Sequence, residues 1–219
     1  MQYINIINNV LNRCHDPGKS DMVKDFINEV YQRVMSEFDW PFLQKESSFN
    51  TVVGQLEYEL ASDCRLDGLK EFWNAADGKV LSVEEHGVFV ENFPKRTGTG
   101  SPDYIIPFGV GANGYPNIMV YPLADAVYTI NYSYLMSVSD LVENADVPAF
   151  PAEFHSIIEE GALAMSYEHE DEGLFNLALR KYNYLLRTMK RRFSTAVRGQ
   201  TFSLKLAADV LERRAGRRY

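Results

Sequence analysis

The stretch from Pro148 to Arg192 constrains the fold most strongly, because it carries two long helical patterns in succession. In each half, apolar residues recur every three or four positions, which is the spacing of one helix face. The pattern comprises Phe154, Ile157, Ile158, Gly161, Ala162 and Met165, and then Leu174, Leu177, Ala178, Tyr182, Leu185, Leu186 and Met189. We expect both faces to be buried and the two helices to form an antiparallel hairpin.

Two further helices are predicted near the beginning of the chain. Residues 3–12 place Ile4, Ile7 and Val10 on one face. After a turn at residues 16–18, a longer apolar stripe runs from Met22 to Phe38. Gly161, Ala162 and Ala164 in the later hairpin are small enough to let another helix axis approach closely. The four helices therefore have matching surfaces for a bundle.

Between these helical regions the apolar pattern changes from a period of 3.6 to a period of 2, which indicates strands. Residues 49–60 alternate on both sides of Gly54-Gln55, which predicts a β-hairpin. Further strands are predicted at residues 69–73, 104–108, 117–121 and 127–135, and a short helix within residues 82–93. We expect an antiparallel sheet with one buried face.

These elements predict an α+β protein, in which an antiparallel helical bundle carries an inserted antiparallel β-sheet domain and a C-terminal extension. The expected parts are the first bundle helices (1–44), the β insertion (45–147), the helical hairpin (148–198) and a basic arm (199–219). Arg198-Gly199-Gln200 should break the long helix before the arm. A chain of 219 residues with 46% hydrophobic content can bury such a core.

Charge is divided along the chain. Residues 180–219 carry 12 Lys and Arg against two acidic residues, whereas residues 1–179 carry the other 10 basic residues against 28 acidic ones. A basic segment of this kind favours an acidic or phosphate-bearing partner, and a solvated basic helix end is the alternative. Within the segment, the apolar residues Phe202, Leu206 and Val210 recur at helical spacing. That pattern favours partner binding over a frayed terminus or a membrane-surface helix.

No pattern predicts catalysis, a metal or a cofactor. Gly109 to Gly114 matches G-x-G-x-x-G, but a strand rather than a helix follows it, so a loop is the better interpretation. The acidic run Glu168 to Glu172 is placed where it would cap the next helix. The two cysteines lack metal-ligand spacing and favour a reducing cytosol. No apolar run of about 18 residues occurs, so we expect no membrane span and no export.

Three stretches carry a resemblance to a known family: residues 23–31 running into Trp40-Pro41-Phe42-Leu43, the segment Val53 to Tyr58, and residues 151–164. Together they resemble the head-to-tail adaptor proteins of tailed bacteriophages, over most of residues 20–190. The resemblance implies a structural virion protein without enzymatic activity, assembled in the host cytoplasm. It would form a ring, commonly of twelve copies, beneath the portal protein.

The resemblance implies that the C-terminal arm contacts the portal, and the adaptor role predicts a second contact through the β insertion. The C-terminal arm would reach into the portal through Phe202, Leu204, Leu206, Val210, Leu211, Arg213, Arg214, Arg217, Arg218 and Tyr219. Loops of the β insertion would meet a downstream tail or nozzle protein through Arg96, Thr97, Thr99, Asn113 and Tyr115. DNA would pass through the ring without specific binding, along a lumen that we expect to be acidic.

Two alternatives from other classes remain open at this point. A nucleic-acid-binding module would use the arginines of the basic arm on phosphate, with binding that weakens steeply as salt rises. A cell-wall hydrolase would need a carboxylate pair in a cleft, and the sequence offers many carboxylates without a way to choose among them.

Overall fold

The computed structural model of the protein describes residues 1–14, 17–168 and 171–215, with residues 195–215 described by their backbone. The chain divides into two compact units. One unit, here the helical unit, comprises Met1–Phe38 and Asp140–Tyr219, and the other, the β unit, comprises Asp39–Ser139.

The described residues form five α-helices and nine strands. The helices are α1 (Tyr3–Cys14), α2 (Ser20–Ser36), α3 (His86–Asn92), α4 (Ser156–Tyr167) and α5 (Glu172–Ala215). The strands are β1 (Gln44–Asn50), β2 (Glu57–Glu59), β3 (Cys64–Asn74), β4 (Val80–Val83), β5 (Thr99–Gly100), β6 (Tyr104–Val110), β7 (Pro116–Tyr121), β8 (Leu123–Ala124) and β9 (Thr129–Met136). Short 3₁₀ turns precede α2, β1 and α4.

Helix α4 is the centre of the helical unit, since it contacts α1, α2 and α5. Every residue from Ile157 to Ala164 is buried. Gly161 allows the close approach to α2, because a Cβ atom placed there would lie 2.5 Å from Val30 Cγ1. The small residues of α4 therefore do what their pattern predicts, which is to bring neighbouring helices near.

The β unit is built on a seven-stranded sheet in the order β1-β9-β3-β4-β6-β7-β2. All its pairings are antiparallel except β4 with β6, which run parallel and are joined through α3. Strands β1 and β2 form the two outer edges of the order, yet the rings of Phe49 on β1 and Tyr58 on β2 lie 5.1 Å apart. The sheet is therefore strongly curled, and its two edges approach each other.

The curled sheet has apolar residues on both of its faces. Its concave side encloses a buried cluster: Tyr58, Leu60, Cys64, Phe72, Leu81, Ile105, Ile118, Val120, Ile130, Tyr132 and Tyr134. On the other side of β6 and β7, helix α3 covers Ile106, Met119 and Tyr121 with Phe89. Burial on both faces explains why every residue of β7 is buried.

The predicted fold class, a helical bundle with an inserted antiparallel sheet and a C-terminal extension, is wrong. The largest element is the curled seven-stranded sheet, it is mixed, and the five helices occur before, within and after it in the chain. The reason is the parallel β4–β6 pair, which a helix crossover makes possible and which an alternating pattern cannot reveal.

Two local predictions are also corrected. Residues 49–60 do not form a hairpin, because β1 pairs with β9 and β2 pairs with β7. A turn is present at Gly54, where φ is +76°, but it carries the chain from one edge of the curled sheet to the other. Helix α5 does not break near Gly199 and continues to Ala215. One glycine costs a helix about 1 kcal/mol, which is much less than the cost of about 3 kcal/mol for a proline, so a single Gly199 need not end the helix.

Candidate interaction surfaces

The first predicted tail-contact loop precedes β6. Arg96 has a positive φ of 48°, and its guanidinium lies 5.5 Å from the centre of the Phe89 ring on α3. Thr97 and Thr99 are exposed, and the Leu123 N–H donates to the Gly98 carbonyl at 2.8 Å. The loop is therefore fixed at both ends, by α3 on one side and by β8 on the other.

The second predicted tail-contact loop is the turn between β6 and β7. Gly111 N–H donates to the Tyr115 carbonyl at 2.7 Å, and Gly114 takes a φ of +82°. Asn113 is exposed and donates through Nδ2 to Glu59 Oε2 at 2.8 Å. The Gly109–Gly114 motif is thus the tip of a hairpin, which confirms the loop interpretation and excludes a dinucleotide-type helix terminus at this place.

The structure does not bring these two loops together. They lie at opposite ends of the β6–β7 ladder, whose paired residues run from Tyr104 with Tyr121 to Val110 with Pro116. At about 3.4 Å per residue, the two ends are about 20 Å apart. Arg96, Thr97 and Thr99 therefore form one set, and Asn113 and Tyr115 form another.

A groove of about 630 Å³ beside the β6–β7 turn was not predicted. Phe108 and Val110 line it from β6, and Glu57 and Glu59 line it from β2. Both apolar side chains are exposed, at 39% and 60%. The signal in the sequence was the apolar alternation of Ile106, Phe108 and Val110. In the structure a bulge between Pro107 and Val110 interrupts the regular alternation of faces, and the Phe108 ring lies 4.8 Å from that of His86 at the start of α3.

The predicted portal contacts all fall in the last part of the chain. Positions 202, 204, 206, 210, 211, 213 and 214 lie within the helical backbone of α5. Arg217, Arg218 and Tyr219 lie outside the described residues. The helical spacing places positions 202, 206 and 210 along one side of α5 and position 204 on a different side.

The other end of α5 departs from the sequence prediction. Leu174 and Leu177, which the pattern assigned to a buried face, are 43% and 51% exposed. They border a groove of about 350 Å³ together with Asn12, Arg13 and Tyr167. Tyr184, two helical turns after Leu177, is 69% exposed. This apolar side of α5 is left largely uncovered, although the last residue of α4, Tyr167, borders the same groove.

The charged groups of the helical unit have structural roles. Asp171 Oδ1 accepts from the Leu174 N–H at 2.9 Å, which confirms the predicted cap at the start of α5. Glu160 is buried and accepts two hydrogen bonds from Arg13, at 2.9 and 3.1 Å. Those hydrogen bonds raise the pKa of Arg13 above its ordinary value. These carboxylates are held by partners, as in a structural ion pair.

Within residues 1–14, 17–168 and 171–215, no three His, Cys, Asp or Glu side chains are grouped so that they could hold a metal ion. None of the helices in that part of the chain combines the length and the apolar character needed to cross a membrane.

Comparison with known proteins gives one family. The family model described as SU10 adaptor protein matches residues 1–206, which include both units and most of α5. No curated protein matches the chain.

Proposed function

Because the chain belongs to the SU10 adaptor protein family, a family of phage head-to-tail adaptors, we propose that it forms a ring that joins the portal to the tail. Adaptors of this family are structural virion components, and a phage adaptor associates with portal and tail proteins. The ring beneath the portal, its twelve copies and the docking of the C-terminal arm are the parts that we add.

The observation that carries the proposal is the extent of the family match, which continues along α5 as far as residue 206. Helix α5 has 44 residues, and at 1.5 Å per residue it is about 66 Å long. Side chains of α5 pack within the helical unit as far as Phe193, whose ring lies 6.4 Å from that of Phe154. The helical backbone from Ser194 to Ala215 adds about 30 Å beyond that contact.

We assign portal docking to this last part of α5 and the residues after it. The segment combines apolar residues at helical spacing with arginines at positions 213, 214, 217 and 218. A helix laid into a groove on a partner uses apolar anchors of this spacing for affinity. The arginines add charge-assisted contacts to acidic groups of the partner.

We assign tail contact to the β unit. In the first loop Thr97 and Thr99 are exposed and Arg96 is half-buried, and in the turn Asn113 and Tyr115 are exposed. Hydrogen bonds and a cation–π contact hold both in fixed conformations. Fixed loops lose little conformational entropy on binding, which suits a repeated contact in a ring. Because the two sets lie at opposite ends of one hairpin, we expect one of them to carry most of this contact.

Cosedimentation with the portal ring of the same phage tests the proposal. Full-length protein and a version that ends at Arg198 are compared, with Phe202→Ser/Leu206→Ser and Arg213→Gln/Arg214→Gln as full-length variants. We expect the truncation to lose binding and each pair of substitutions to weaken it by about tenfold or more, since the loss of one hot-spot contact costs about 2 kcal/mol and about 1.4 kcal/mol is tenfold in affinity.

Failure of the full-length protein to cosediment would refute the proposal. If it instead shifts DNA, with affinity that falls steeply as salt rises and depends on the arginines alone, the protein is a nucleic-acid-binding module. Dependence on both the apolar residues and the arginines supports portal docking.

A further inference from the structure

The exposed side of α5 forms a surface that has no role in the portal and tail contacts proposed above. Leu174, Leu177, Lys181 and Tyr184 follow each other at spacings of three and four and are all exposed, and we call them the α5 stripe. The groove of about 350 Å³ lies beside Leu174 and Leu177. Residues 174–191 contain five Lys and Arg and no acidic residue, whereas the exposed Asp171 and Glu172 lie just before Leu174. The α5 stripe is therefore apolar at Leu174, Leu177 and Tyr184, and basic at Lys181 and the neighbouring Arg180 and Arg187.

A second surface of the helical unit has the opposite charge. Residues 140–147, here the acidic loop, contain Asp140, Glu143 and Asp146 and no basic residue. Two valines of the loop, Val142 and Val147, are 73% and 55% exposed. Among the large apolar side chains that the structure describes, that of Val142 is the most exposed. An apolar side chain displayed in this way is typical of a contact surface.

The acidic loop is held in one conformation. Asn28 donates through Nδ2 to the Leu141 carbonyl at 3.0 Å and accepts the Leu141 N–H at 2.9 Å. The Asp146 carboxylate accepts the N–H groups of Val142 and Glu143, each at 2.8 Å. The valines are thus presented on a rigid turn, and little conformational entropy is lost when they are covered.

Within one copy the acidic loop cannot reach the groove. The loop is hydrogen-bonded to the first residues of α1, where Tyr3 N–H donates to the Asp146 carbonyl at 2.7 Å. The groove is bordered by Asn12 and Arg13 at the other end of α1. Nine residues of helix separate Tyr3 from Asn12, which corresponds to about 14 Å.

We propose that the acidic loop of one copy of the chain docks on the α5 stripe of the next copy, with Val142 in the groove beside Leu177. The charges of the two surfaces are complementary, and their apolar groups are exposed in both. A contact between two different surfaces of identical subunits is heterologous, and it closes into a ring when the rotation between copies allows. The inference rests on the proposed function, because it names the contact by which that ring is held together.

Crosslinking on portal rings tests this contact. All variants carry Cys14→Ser, and Cys64 stays in place because it is buried. The test protein adds Val142→Cys and Leu177→Cys, and the matched control adds Val142→Cys and Asn183→Cys. Asn183 is also exposed on α5, but it lies about 120° around the helix from Leu177. After cosedimentation, a short bismaleimide is added and the products are separated by denaturing electrophoresis.

We expect a ladder of crosslinked multimers from the test protein and at least tenfold less product from the control. A mixture of copies with Val142→Cys alone and copies with Leu177→Cys alone should give dimers and no longer ladder, since each copy then reacts on one side. Cosedimentation without a ladder, or with equal ladders in test and control, overturns the proposed contact and leaves the adaptor function standing. Absence of cosedimentation refutes the adaptor function and the contact with it.

Discussion

Gly161 in α4 gives the sharpest test of the packing described above. Glycine in a helix interior is normally a cost, so Gly161→Ala should stabilise the protein by about 1 kcal/mol on helix propensity alone. The structure predicts the opposite sign. An added Cβ would lie 2.5 Å from Val30 Cγ1, 3.0 Å from Val30 Cγ2 and 3.1 Å from Tyr182 Cδ2.

The size of the destabilisation depends on how far Val30 and Tyr182 can move away from the new Cβ atom. Ordinary contact needs about 4 Å between carbon atoms, so Val30 or the whole of α2 must move by about 1 Å or more. Valine is restricted to essentially one rotamer in a helix, and Val30 is only 2% exposed, so it cannot turn away. Overpacking of this kind costs about 1 to 3 kcal/mol, which exceeds the gain in propensity. After the gain of about 1 kcal/mol is subtracted, we expect Gly161→Ala to destabilise the protein by about 1 kcal/mol, and by no more than about 2 kcal/mol.

Urea unfolding followed by circular dichroism at 222 nm measures this, because most helical residues lie in the helical unit. Gly87→Ala is the matched control, since Gly87 is also helical but has no atom within 4 Å of an added Cβ. It should be neutral or stabilising. Val30→Ala removes the two methyl groups that obstruct the new Cβ, so adding Gly161→Ala to that variant should stabilise it. The coupling energy should be about 2 kcal/mol.

If the changes in unfolding free energy for Gly161→Ala and Val30→Ala add to within about 0.5 kcal/mol in the double variant, this reasoning is refuted, because residues in contact should be coupled. A stabilising Gly161→Ala would refute it as well, since helix propensity would then outweigh the contact with Val30.

Two further predictions concern the β unit and α1. Burial, followed by the nearby Asp63 carboxylate, raises the pKa of the Cys64 thiol to about 12, so in native protein a thiol reagent at pH 8 should label Cys14 alone and reach Cys64 only after unfolding. Burial opposes ionisation of Asp63, but hydrogen bonds from Lys45 and Tyr134 outweigh it and lower the pKa of Asp63. This carboxylate therefore stabilises the fold above its unfolded pKa of 3.8, and the contribution is lost as pH falls through the lower folded value. Asp63→Asn should shift the urea midpoint more at pH 7 than near pH 3, whereas an equal shift at both values would contradict this.

The sequence predicted the elements whose pattern is long and regular. Helices α1 and α2, the strands β7 and β9 and the turn between β6 and β7 all lie where the apolar period placed them. The family resemblance drawn from residues 23–43, 53–58 and 151–164 is confirmed as well. These are cases in which local preference and tertiary packing agree.

The pairing of strands could not be predicted in the same way. Strand β4 has four residues, of which only Leu81 is buried. So short an alternation of apolar residues does not indicate that β4 pairs in parallel with β6. The turn at Gly54 was recognised, but the partners of β1 and β2 depend on the curl of the whole sheet. Periodicity identifies residues that share a face, and it does not identify what covers that face. Leu174 and Leu177 show this limit, since they continue the apolar pattern of α5 and yet are exposed.

The grouping of the candidate contact loops could not be predicted either, because strand register rather than composition decides which loops are neighbours. Arg96 and Asn113 are 17 positions apart in the sequence, and the β6–β7 ladder holds their loops at opposite ends. The acidic loop and the α5 stripe were not singled out at all. Their signal is the combination of exposed valines, leucines and opposite charge, and exposure becomes visible only once the helical unit is folded.

Under the two proposals, α5 makes two contacts, and these contacts imply an order of assembly. The first half of α5 bears the stripe for the next copy, and the last part docks on the portal. Two copies that dock on adjacent portal sites hold their α5 stripe and acidic loop at an effective concentration far above that in free solution. A contact too weak to join free copies can then form, because docking has already supplied most of the entropy cost of association. Ring closure would therefore follow portal docking, and copies that have not yet met a portal would stay apart.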